Sequence, residues 1–282
     1  MISLLICPQR IAILMTTYNG SDYLEEQIES IINQTYDDWM LYIRDDGSND
    51  NTMTIITKYA EKHPNIMLIE DHEHRIGACQ GFLRLLNAID SDIYMFCDQD
   101  DVWLPSKISL SIHEYDKIKS KNPNSPIVIG TDVRVVDENL ETLAVSRWED
   151  IKLHPNVLHG YNYLAQCNYI QGNTMLFNKK AKEISFPVAN YAIMHDWWIA
   201  TRVAKVNGII ATINQQTLLY RQHSANAMGF LSGKEALYRS RLKHLKQVIK
   251  ENAKTYSVLQ KDGYGNLFKY LWYKYKIIKS RK

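Results

Sequence analysis

The stretch Ile11-Ala-Ile-Leu-Met-Thr-Thr-Tyr-Asn-Gly20 decides the fold. Residues 11–15 form a continuous apolar run, and the turn-forming residues 18–20 follow it, which predicts a buried strand that ends in a loop. Apolar residues then recur at helical spacing at Leu24, Ile28, Ile31 and Ile32. A buried strand followed directly by an amphipathic helix indicates the beginning of an α/β domain.

The alternation of strand and helix continues beyond this first unit. Short apolar runs predict three further strands, and the helical spacing of apolar residues predicts helices between them. The predicted strands cover 39–43, 66–69 and 92–97, and the predicted helices cover about 51–62 and 79–90. Such alternation implies right-handed crossovers, so we expect an α/β fold with a Rossmann-like, mostly parallel, doubly wound sheet.

Polar clusters follow three of the predicted strands. They are Thr16–Gly20, Asp45–Ser48 and Asp98–Asp101. Ligands of doubly wound sheets bind beyond the carboxyl ends of the strands. We therefore expect the three clusters to meet at one edge of the sheet and to form a binding site there.

The pattern changes after about residue 121. Strands are predicted over 127–136, 169–178 and 209–220, with a helix over 196–205. We interpret residues 1–228 as one domain, in which about 10–120 form a first half and 121–228 an acceptor half. Residues 229–282 are predicted to form a basic, helical C-terminal tail.

The composition is that of a globular protein, but its charge is unevenly divided. The chain has 282 residues, of which 45% are hydrophobic and 23% charged, and its net charge of +2 gives no indication of nucleic-acid binding. Residues 231–282 hold 14 of the 33 Lys and Arg but three of the 31 Asp and Glu, so they carry +11 and the rest of the chain −9. The four cysteines form no C-x-x-C pair, and no apolar stretch reaches spanning length, so a cytoplasmic location is expected.

The acidic loop Asp98-Gln-Asp-Asp101 is the first candidate for chemistry. Three carboxylates on one loop repel each other unless a cation lies between them. Oxygen ligands of this kind favour Mg²⁺ or Mn²⁺, which bind one or two protein carboxylates together with substrate phosphates. The alternative is an acidic helix cap before Val102.

Three further acidic or basic residues lie at the ends of later predicted elements. His223 follows the last predicted strand and is a candidate metal ligand, and Arg221 beside it is a candidate for a bidentate contact with phosphate oxygens. Asp196 stands at a predicted helix start, where it is either a plain N-cap or a general base for an acceptor hydroxyl.

The cluster Asp45-Asp46-Gly47-Ser48 is either a tight turn alone or part of a nucleoside site. One of its carboxylates can accept the N3–H of a pyrimidine or bond a ribose hydroxyl, with Tyr18 stacked on the base. The sequence contains no G-x-G-x-x-G after the first strand and no G-x-x-x-x-G-K-[ST], so neither dinucleotide binding nor a P-loop is indicated.

Five motifs in this order resemble those of family 2 glycosyltransferases with the GT-A fold. They are Ile11–Gly20, Ser30-Ile-Ile-Asn-Gln-Thr35, Arg44-Asp-Asp-Gly-Ser-Asn-Asp50, Phe96-Cys-Asp-Gln-Asp-Asp-Val-Trp103 and Tyr220-Arg-Gln-His-Ser-Ala-Asn226. They extend over about residues 10–228, and the last two are most similar to the bacterial rhamnosyltransferase branch.

The resemblance implies inverting transfer of a single sugar from a nucleoside diphosphate, with Mn²⁺ or Mg²⁺ as cofactor. It places Thr16, Tyr18 and Asp46 at the nucleoside, Asp98 at the ribose or the metal, Asp100 and His223 at the metal, and Asp196 as the base for the acceptor hydroxyl. In the loop after the third strand, the branch commonly has Asn-Leu-Gly where this chain has Arg75-Ile-Gly77, and Arg75 is expected to contact the diphosphate.

The expected donor is dTDP-rhamnose, with UDP-galactose or UDP-glucose as the alternative. The expected acceptor is a bacterial surface polysaccharide, such as capsule, or a lipid-diphosphate-linked glycan. The basic tail is then expected to contact the inner face of the cell membrane, unless it is a solvated appendage or a dimer contact. Two other classes stay open: a haloacid-dehalogenase-type phosphohydrolase, which also has D-x-D after a strand, and a non-catalytic sugar-nucleotide-binding protein.

Overall fold

Strand β1 (Ile11–Thr17) is buried along its whole length between two parallel neighbours. The computed structural model describes residues 11–158, 160–190, 192–223 and 245–281. On one side of β1 lie β2 (Trp39–Asp45) and then β3 (Ile66–Leu68), and on the other lies β4 (Ile93–Cys97). All three pairings are parallel, which confirms the first half of the predicted sheet.

Helices cover both faces of this sheet, as a doubly wound fold requires. Alternate residues of β1 belong to two separate cores, because Ile13 packs into one apolar cluster and Leu14 into the other. The first face is covered by α1 (Leu24–Ile32), α2 (Thr52–Lys62) and α4 (Lys107–Lys121). The second face is covered by α3 (Ala78–Ala88), α7 (Lys179–Glu183) and α8 (His195–Lys205).

The second half of the sheet is mixed. Strand β8 (Leu176–Asn178) runs antiparallel between β4 and β6 (Ile127–Val136), and β9 (Ile209–Arg221) runs parallel to β6. The short strands β5 (Val102–Trp103) and β7 (Thr142–Ala144) pair antiparallel with β9 and β6. Six of the nine strands in the described ranges run in one direction, so the sheet is mostly parallel.

The strand predicted over 169–178 is three residues long in the structure, so most of that prediction is wrong. Residues Gly172–Thr174 form a 3₁₀ turn instead. The N–H of Gly172 donates to the Asp196 carboxylate, which is distant in the sequence, so it is not available to a neighbouring strand. The short helices α5 (Arg147–Asp150) and α6 (Tyr161–Leu164) precede this turn.

The C-terminal tail is helical, as predicted, over the part that the structure describes. It forms α9 (Leu245–Lys261) and α10 (Leu267–Ser280), while the predicted boundary at residue 228 lies outside the described residues. Asp262, between the two helices, accepts a hydrogen bond from Tyr161 Oη at 2.8 Å and pairs with Arg202 and Lys205 of α8. The alternative of a solvated appendage is therefore wrong for residues 259–281.

The tail also buries aromatic side chains against the domain. Tyr264 and Tyr270 pack with Ala165 and Leu259 in a small apolar cluster, and Gln166 Nε2 donates to Tyr264 Oη at 2.6 Å. In the described ranges we find no helix with both the length and the apolar character needed to cross a bilayer.

Candidate active site

Hydrogen bonds join the three polar loops that were predicted to meet. The Tyr18 N–H donates to Gln99 Oε1 at 2.8 Å, and Gln99 Nε2 donates back to the Tyr18 carbonyl at 3.1 Å. The Asn19 N–H donates to Ser48 Oγ at 2.8 Å, which ties the same loop to the one that follows β2. The loops after β1, β2 and β4 therefore form one connected edge.

Gln99 is a site residue that the sequence analysis missed. A Cβ on Gly20 would lie 2.4 Å from Gln99 Oε1, so the end of the Gln99 side chain packs directly against this glycine. The signal that could have found Gln99 is its position between Asp98 and Asp100, where a side chain that donates and accepts can connect the strand ends.

Asp46 is buried and holds the loop that follows β3. Its Oδ1 accepts from Arg44 Nη1 at 2.8 Å and from the Ile76 N–H at 3.1 Å, and its Oδ2 accepts from the Gly77 N–H at 2.8 Å. Burial alone would raise the pKa of Asp46, but the Arg44 guanidinium and the two backbone donors lower it below its usual range. The carboxylate is held ionised with a fixed orientation.

The neighbouring carboxylate, Asp45, has the local task that a tight turn requires. Its Oδ2 accepts from the backbone N–H groups of Gly47 and Ser48 at 3.0 and 2.8 Å, and its Oδ1 accepts from Thr17 Oγ1 at 2.8 Å. Asp45 therefore forms the tight turn, whereas Asp46 lies at the edge of the site, where its contact with a nucleoside stays a prediction.

The other predicted nucleoside and diphosphate residues lie around the same edge. Thr16 is buried at the end of β1, where a Cβ on Gly81 of α3 would come within 2.6 Å of its Oγ1. The Tyr18 ring is 43% exposed, so one of its faces is open to a ligand. Arg75 has an exposed side chain and a backbone N–H that donates to the Asp46 carbonyl at 2.9 Å.

Three carboxylates from two distant parts of the sequence lie close together beyond β4. Burial, together with the like charges of Asp100 and Asp196, raises the pKa of Asp98 to about 7. The Asp98 carboxylate accepts no hydrogen bond from the residues that the structure describes, so nothing in that part of the protein offsets the repulsion. Such a cluster is stabilised by a cation.

Asp100 and His223, the two predicted metal ligands, lie side by side. Asp100 Oδ2 lies 2.9 Å from His223 Nε2, and the His223 ring packs against Tyr23 with a centroid distance of 4.8 Å. Across the described ranges no group of three His, Cys, Asp or Glu side chains is arranged to enclose a metal ion. The two donors fit a divalent cation that takes its other ligands from a diphosphate, which is the manner in which Mg²⁺ commonly binds.

Arg221 is placed differently from its predicted phosphate contact. The residue is 2% exposed, and its guanidinium donates to the Asp100 carbonyl at 2.9 Å, to the Glu138 carbonyl at 2.8 Å and to the Glu26 carboxylate. Because these bonds occupy the guanidinium, the structure makes it an anchor for the loop that carries Asp100, and a phosphate contact would require them to break.

Asp101 lies beneath this loop and does not cap a helix, so the alternative of an acidic helix cap is wrong for it. It is fully buried, and its carboxylate accepts from Asn173 Nδ2 at 2.6 Å and from the Arg221 N–H at 3.1 Å. Burial and the neighbouring Asp100 and Asp98 raise its pKa well above the usual range. Asp101 thus connects the acidic loop with β9 and the 3₁₀ turn.

Asp196 stands in the first turn of α8, where its carboxylate is held by three donors. Oδ2 accepts from Asn168 Nδ2 at 3.1 Å and from the Gly172 N–H at 2.9 Å, and Oδ1 accepts from the Trp197 N–H at 2.6 Å. The residue is 8% exposed and contributes to the repulsion felt by Asp98. The helix begins at His195 with Met194 as its N-cap and without a side-chain cap hydrogen bond, so the alternative of a plain N-cap is wrong for Asp196, and its role as a base stays a prediction.

The residue before it, His195, is buried beneath the site. Its ring stacks on Phe82 with a centroid distance of 4.3 Å, and neither ring nitrogen has a hydrogen-bond partner among the described residues. Burial lowers the pKa of His195, although the charge of Asp196 opposes the shift. The imidazole is therefore a neutral part of the apolar support under Asp196.

Sequence comparisons connect this arrangement with known proteins. The sequence model of a family described as "Glycosyl transferase family 2" matches residues 12–195. The dTDP-rhamnosyl transferase RfbG of Shigella flexneri is 30% identical over 263 residues, which cover 89% of this chain and 86% of that protein. The UDP-Glc:alpha-D-GlcNAc-diphosphoundecaprenol beta-1,3-glucosyltransferase WfgD of Escherichia coli is 28% identical over 102 residues, or 36% of this chain and 39% of that protein.

Solved structures confirm the predicted GT-A fold. The mannosyltransferase PcManGT from Pyrobaculum calidifontis, in complex with GDP-Man and Mn²⁺, matches with a TM-score of 0.59 and 18% identity over 88% of this chain and 64% of that one. S. aureus TarS 1–349, in complex with UDP-GlcNAc, matches with a TM-score of 0.57 and 14% identity over 97% of this chain and 82% of that one. At such identities the likeness concerns the fold alone.

Proposed function

The chain belongs to glycosyltransferase family 2, and on that premise we propose that it transfers one sugar, with inversion, from a nucleoside diphosphate to an acceptor hydroxyl. As a glycosyltransferase it needs a donor site, a group that balances the leaving diphosphate and a base for the acceptor. The proposal rests on one arrangement above all: Gly172 donates to Asp196 at 2.9 Å and its neighbour Asn173 donates to Asp101 at 2.6 Å, so the acidic loop after β4 and the start of α8 meet although they are far apart in the sequence.

Asp196 is the proposed catalytic base. Its carboxylate is oriented by the N–H groups of Gly172 and Trp197 and by Asn168, so one lone pair can face an incoming hydroxyl without a change of rotamer. Taking the proton as the oxygen attacks the anomeric carbon makes the oxygen a stronger nucleophile. A direct displacement of this kind inverts the configuration at that carbon.

Asp100 and His223 are the proposed metal ligands, with Asp98 beside them. A bound Mn²⁺ or Mg²⁺ would supply positive charge to the departing diphosphate. Without it, the chain's own groups at this point are acidic, because the Arg221 guanidinium donates to protein acceptors. We propose that Arg75, whose side chain is exposed at the same edge, contacts the diphosphate.

The nucleoside is proposed to lie across the ends of β1 and β2. Asp46 has a remaining lone pair on Oδ2 for a base N–H or a ribose hydroxyl, and the exposed Tyr18 ring offers a face for stacking. Thr16, which is buried at the end of β1, is proposed to form the floor of this part of the site.

We propose dTDP-rhamnose as the donor, and a growing bacterial surface polysaccharide or a lipid-diphosphate-linked glycan as the acceptor. The support for this donor is the relative named as a dTDP-rhamnosyl transferase, whose length this chain nearly spans. A second candidate donor is UDP-glucose, which is favoured by the likeness of 102 residues to a glucosyltransferase that uses it. The transferase family match leaves the phosphohydrolase alternative without support.

A donor panel tests the proposal directly. The full chain is incubated with dTDP-rhamnose, UDP-glucose, UDP-galactose and GDP-mannose, each with Mn²⁺, with Mg²⁺ and with a chelator, and the released nucleoside diphosphate is measured. We expect the largest release with dTDP-rhamnose and its loss with the chelator. Equal release from all donors, or hydrolysis of simple phosphate esters instead, would contradict the proposal.

A further inference from the structure

Helix α10 has an inward face that fixes it to the domain. Tyr270 and Ile277, seven residues apart, are 3% and 6% exposed, and the Tyr270 carbonyl accepts from Gln166 Nε2 at 3.0 Å. At the end of the helix, Arg281 Nη2 lies 3.3 Å from Cys167 Sγ. These contacts determine which side of the helix faces away from the protein.

The outward face of α10 is apolar. Six large hydrophobic side chains on it are exposed: Leu267 50%, Phe268 78%, Leu271 55%, Trp272 47%, Tyr275 54% and Ile278 38%. At about 100° per residue these six positions fall on one arc of about 140°, which among residues 267–280 they share with Lys279 alone. Contiguous apolar patches on a protein surface mark interaction sites.

Basic residues border this arc on both sides. The same helical spacing places Lys269 and Lys276 along one margin and Lys274 along the other, and residues 267–281 contain no Asp or Glu. The Lys276 ammonium lies 5.2 Å from the ring centroid of Trp272, so the charge stands at the edge of the apolar arc. The face is therefore complementary to a surface that is apolar within and negative at its rim.

We propose that the outward face of α10 inserts into the interface of a bilayer that contains anionic lipids. An apolar arc with Trp272 at its margin and Lys on the flanks is typical of helices that lie in that interface. Lysine is depleted at protein–protein interfaces, which favours lipid over a protein partner. A helix of 14 residues is about 21 Å long, too short to cross a hydrocarbon core of about 30 Å, so the helix lies in the plane of the membrane.

The attachment has a fixed relation to the candidate active site. Asp262, at the start of the α9–α10 connection, pairs with Arg202 and Lys205 of α8, the helix whose first turn carries Asp196. Membrane contact through α10 would thus hold the acceptor side of the protein at a constant distance from the lipid surface. The inference stands whether or not the donor proposed above is right.

Co-sedimentation with vesicles tests the inference. The full chain is mixed with vesicles of phosphatidylcholine alone and with vesicles in which about a third of the lipid is phosphatidylglycerol, at about 50 and about 500 mM salt. We expect binding to the anionic vesicles to be at least about tenfold stronger, and to weaken at high salt. Equal binding to both vesicles, or none to either, would overturn the inference.

Matched variants locate the contact on α10. Phe268→Glu combined with Leu271→Glu should reduce vesicle binding at least about tenfold, because both place charge on the inserted arc. Val145→Glu combined with Val157→Glu, at positions 61% and 57% exposed elsewhere, should leave it unchanged. Melting curves and nucleoside diphosphate binding should match the wild type in both, which separates this test from that of the proposed function.

A self-associating face would give a different result. If the wild type sediments as a dimer in the absence of lipid and the Phe268→Glu, Leu271→Glu variant as a monomer, the arc belongs to a second copy of the chain and the inference is wrong.

Discussion

Asp46 and Asp98 both lie just beyond the carboxyl end of a parallel strand, yet their carboxylates have opposite surroundings. Asp46 receives Arg44 and two backbone N–H groups, and its pKa is lowered. Asp98 faces two other carboxylates, and its pKa is raised to about 7. The first carboxylate is compensated by donors of the protein, whereas the second has no hydrogen-bond donor among the described residues, and we propose that a cation compensates it.

This difference suggests that Asp46 positions its own loops, whereas Asp98 belongs to a site for a ligand. A carboxylate whose donors come from the protein orders its own loops, so its removal should cost stability whether or not a ligand is present. A carboxylate in a like-charged cluster costs stability until its ligand arrives. The sign of a stability change on substitution therefore distinguishes the two.

The largest effect is expected at the third carboxylate of the acidic cluster. Asp196→Asn should lower turnover by about 10²–10⁴-fold, because the amide cannot accept the hydroxyl proton. Nucleoside diphosphate affinity should stay within about twofold of the wild type, since the proposed base faces the acceptor. Diphosphate release measures the first quantity and titration calorimetry the second.

Asp90→Asn is the control for this substitution. It makes the same change of carboxylate to amide at an exposed residue that pairs with Lys179, and it should leave turnover unchanged. Loss of nucleotide binding in Asp196→Asn would show that Asp196 is not the base.

The second largest effect is expected on substitution of Asp46, whose carboxylate is compensated by donors of the protein. Asp46→Asn should reduce the free energy of unfolding by about 3 kcal/mol, because it leaves the Arg44 guanidinium, 1% exposed, without its buried partner. Asp71→Asn removes the second carboxylate that pairs with the Arg44 guanidinium. Because the Asp71 side chain is 24% exposed, the free energy of unfolding should fall by about 1 kcal/mol. Urea unfolding measures both, and equal losses would mean that burial does not distinguish the two pairs.

The matching substitution in the acidic cluster should have the opposite sign. Asp98→Asn should raise the stability of the metal-free protein by about 1 kcal/mol, because it removes repulsion with Asp100 and Asp196. It should also reduce the further stabilisation that Mn²⁺ with a nucleoside diphosphate gives the wild type. A destabilised Asp98→Asn protein would contradict the contrast drawn with Asp46.

The sequence was sufficient to predict that the loops that carry Asp46 and Asp98 lie at the same edge of the sheet. The apolar runs of β1 and β4 and the helices between them predicted the parallel half of the sheet, and parallel strand ends lie at one edge by geometry, so the meeting of three polar loops followed. Helical periodicity likewise predicted α8 and hence the place of Asp196 in a first turn.

Partners that are distant in the sequence could not be predicted in this way. The Arg221 guanidinium donates to Glu26, which is 195 residues away, and no local pattern shows that protein acceptors occupy it, so its phosphate contact stays a prediction. Gln99 lies within a motif whose acidic residues carry the stronger signal. The shortened strand β8 results from one hydrogen bond, between Gly172 and Asp196, that no local pattern shows.

The smallest expected effect concerns the imidazole under the acidic cluster. Burial among Phe82 and Phe96 lowers the pKa of His195 below its ordinary 6.5, although the neighbouring Asp196 opposes the shift. As the pH falls through about 6.5, the His195 imidazole is therefore protonated in the unfolded chain while it stays neutral in the folded chain. This contribution to stability is fully present above about pH 6.5 and is lost as the pH falls toward the lowered pKa.

His195→Phe isolates this contribution, because phenylalanine suits the aromatic pocket and cannot be protonated. Between about pH 7 and pH 5 the wild type should lose about 1 kcal/mol of stability relative to the variant, measured by urea unfolding. Asp98, with its raised pKa, changes stability in the opposite direction over the same range, but it does so in both proteins and cancels in the difference. If wild type and variant show the same dependence of stability on pH, the charge of Asp196 already balances the effect of burial on the pKa of His195. The imidazole would then resemble the carboxylate of Asp46, whose burial is compensated within the protein.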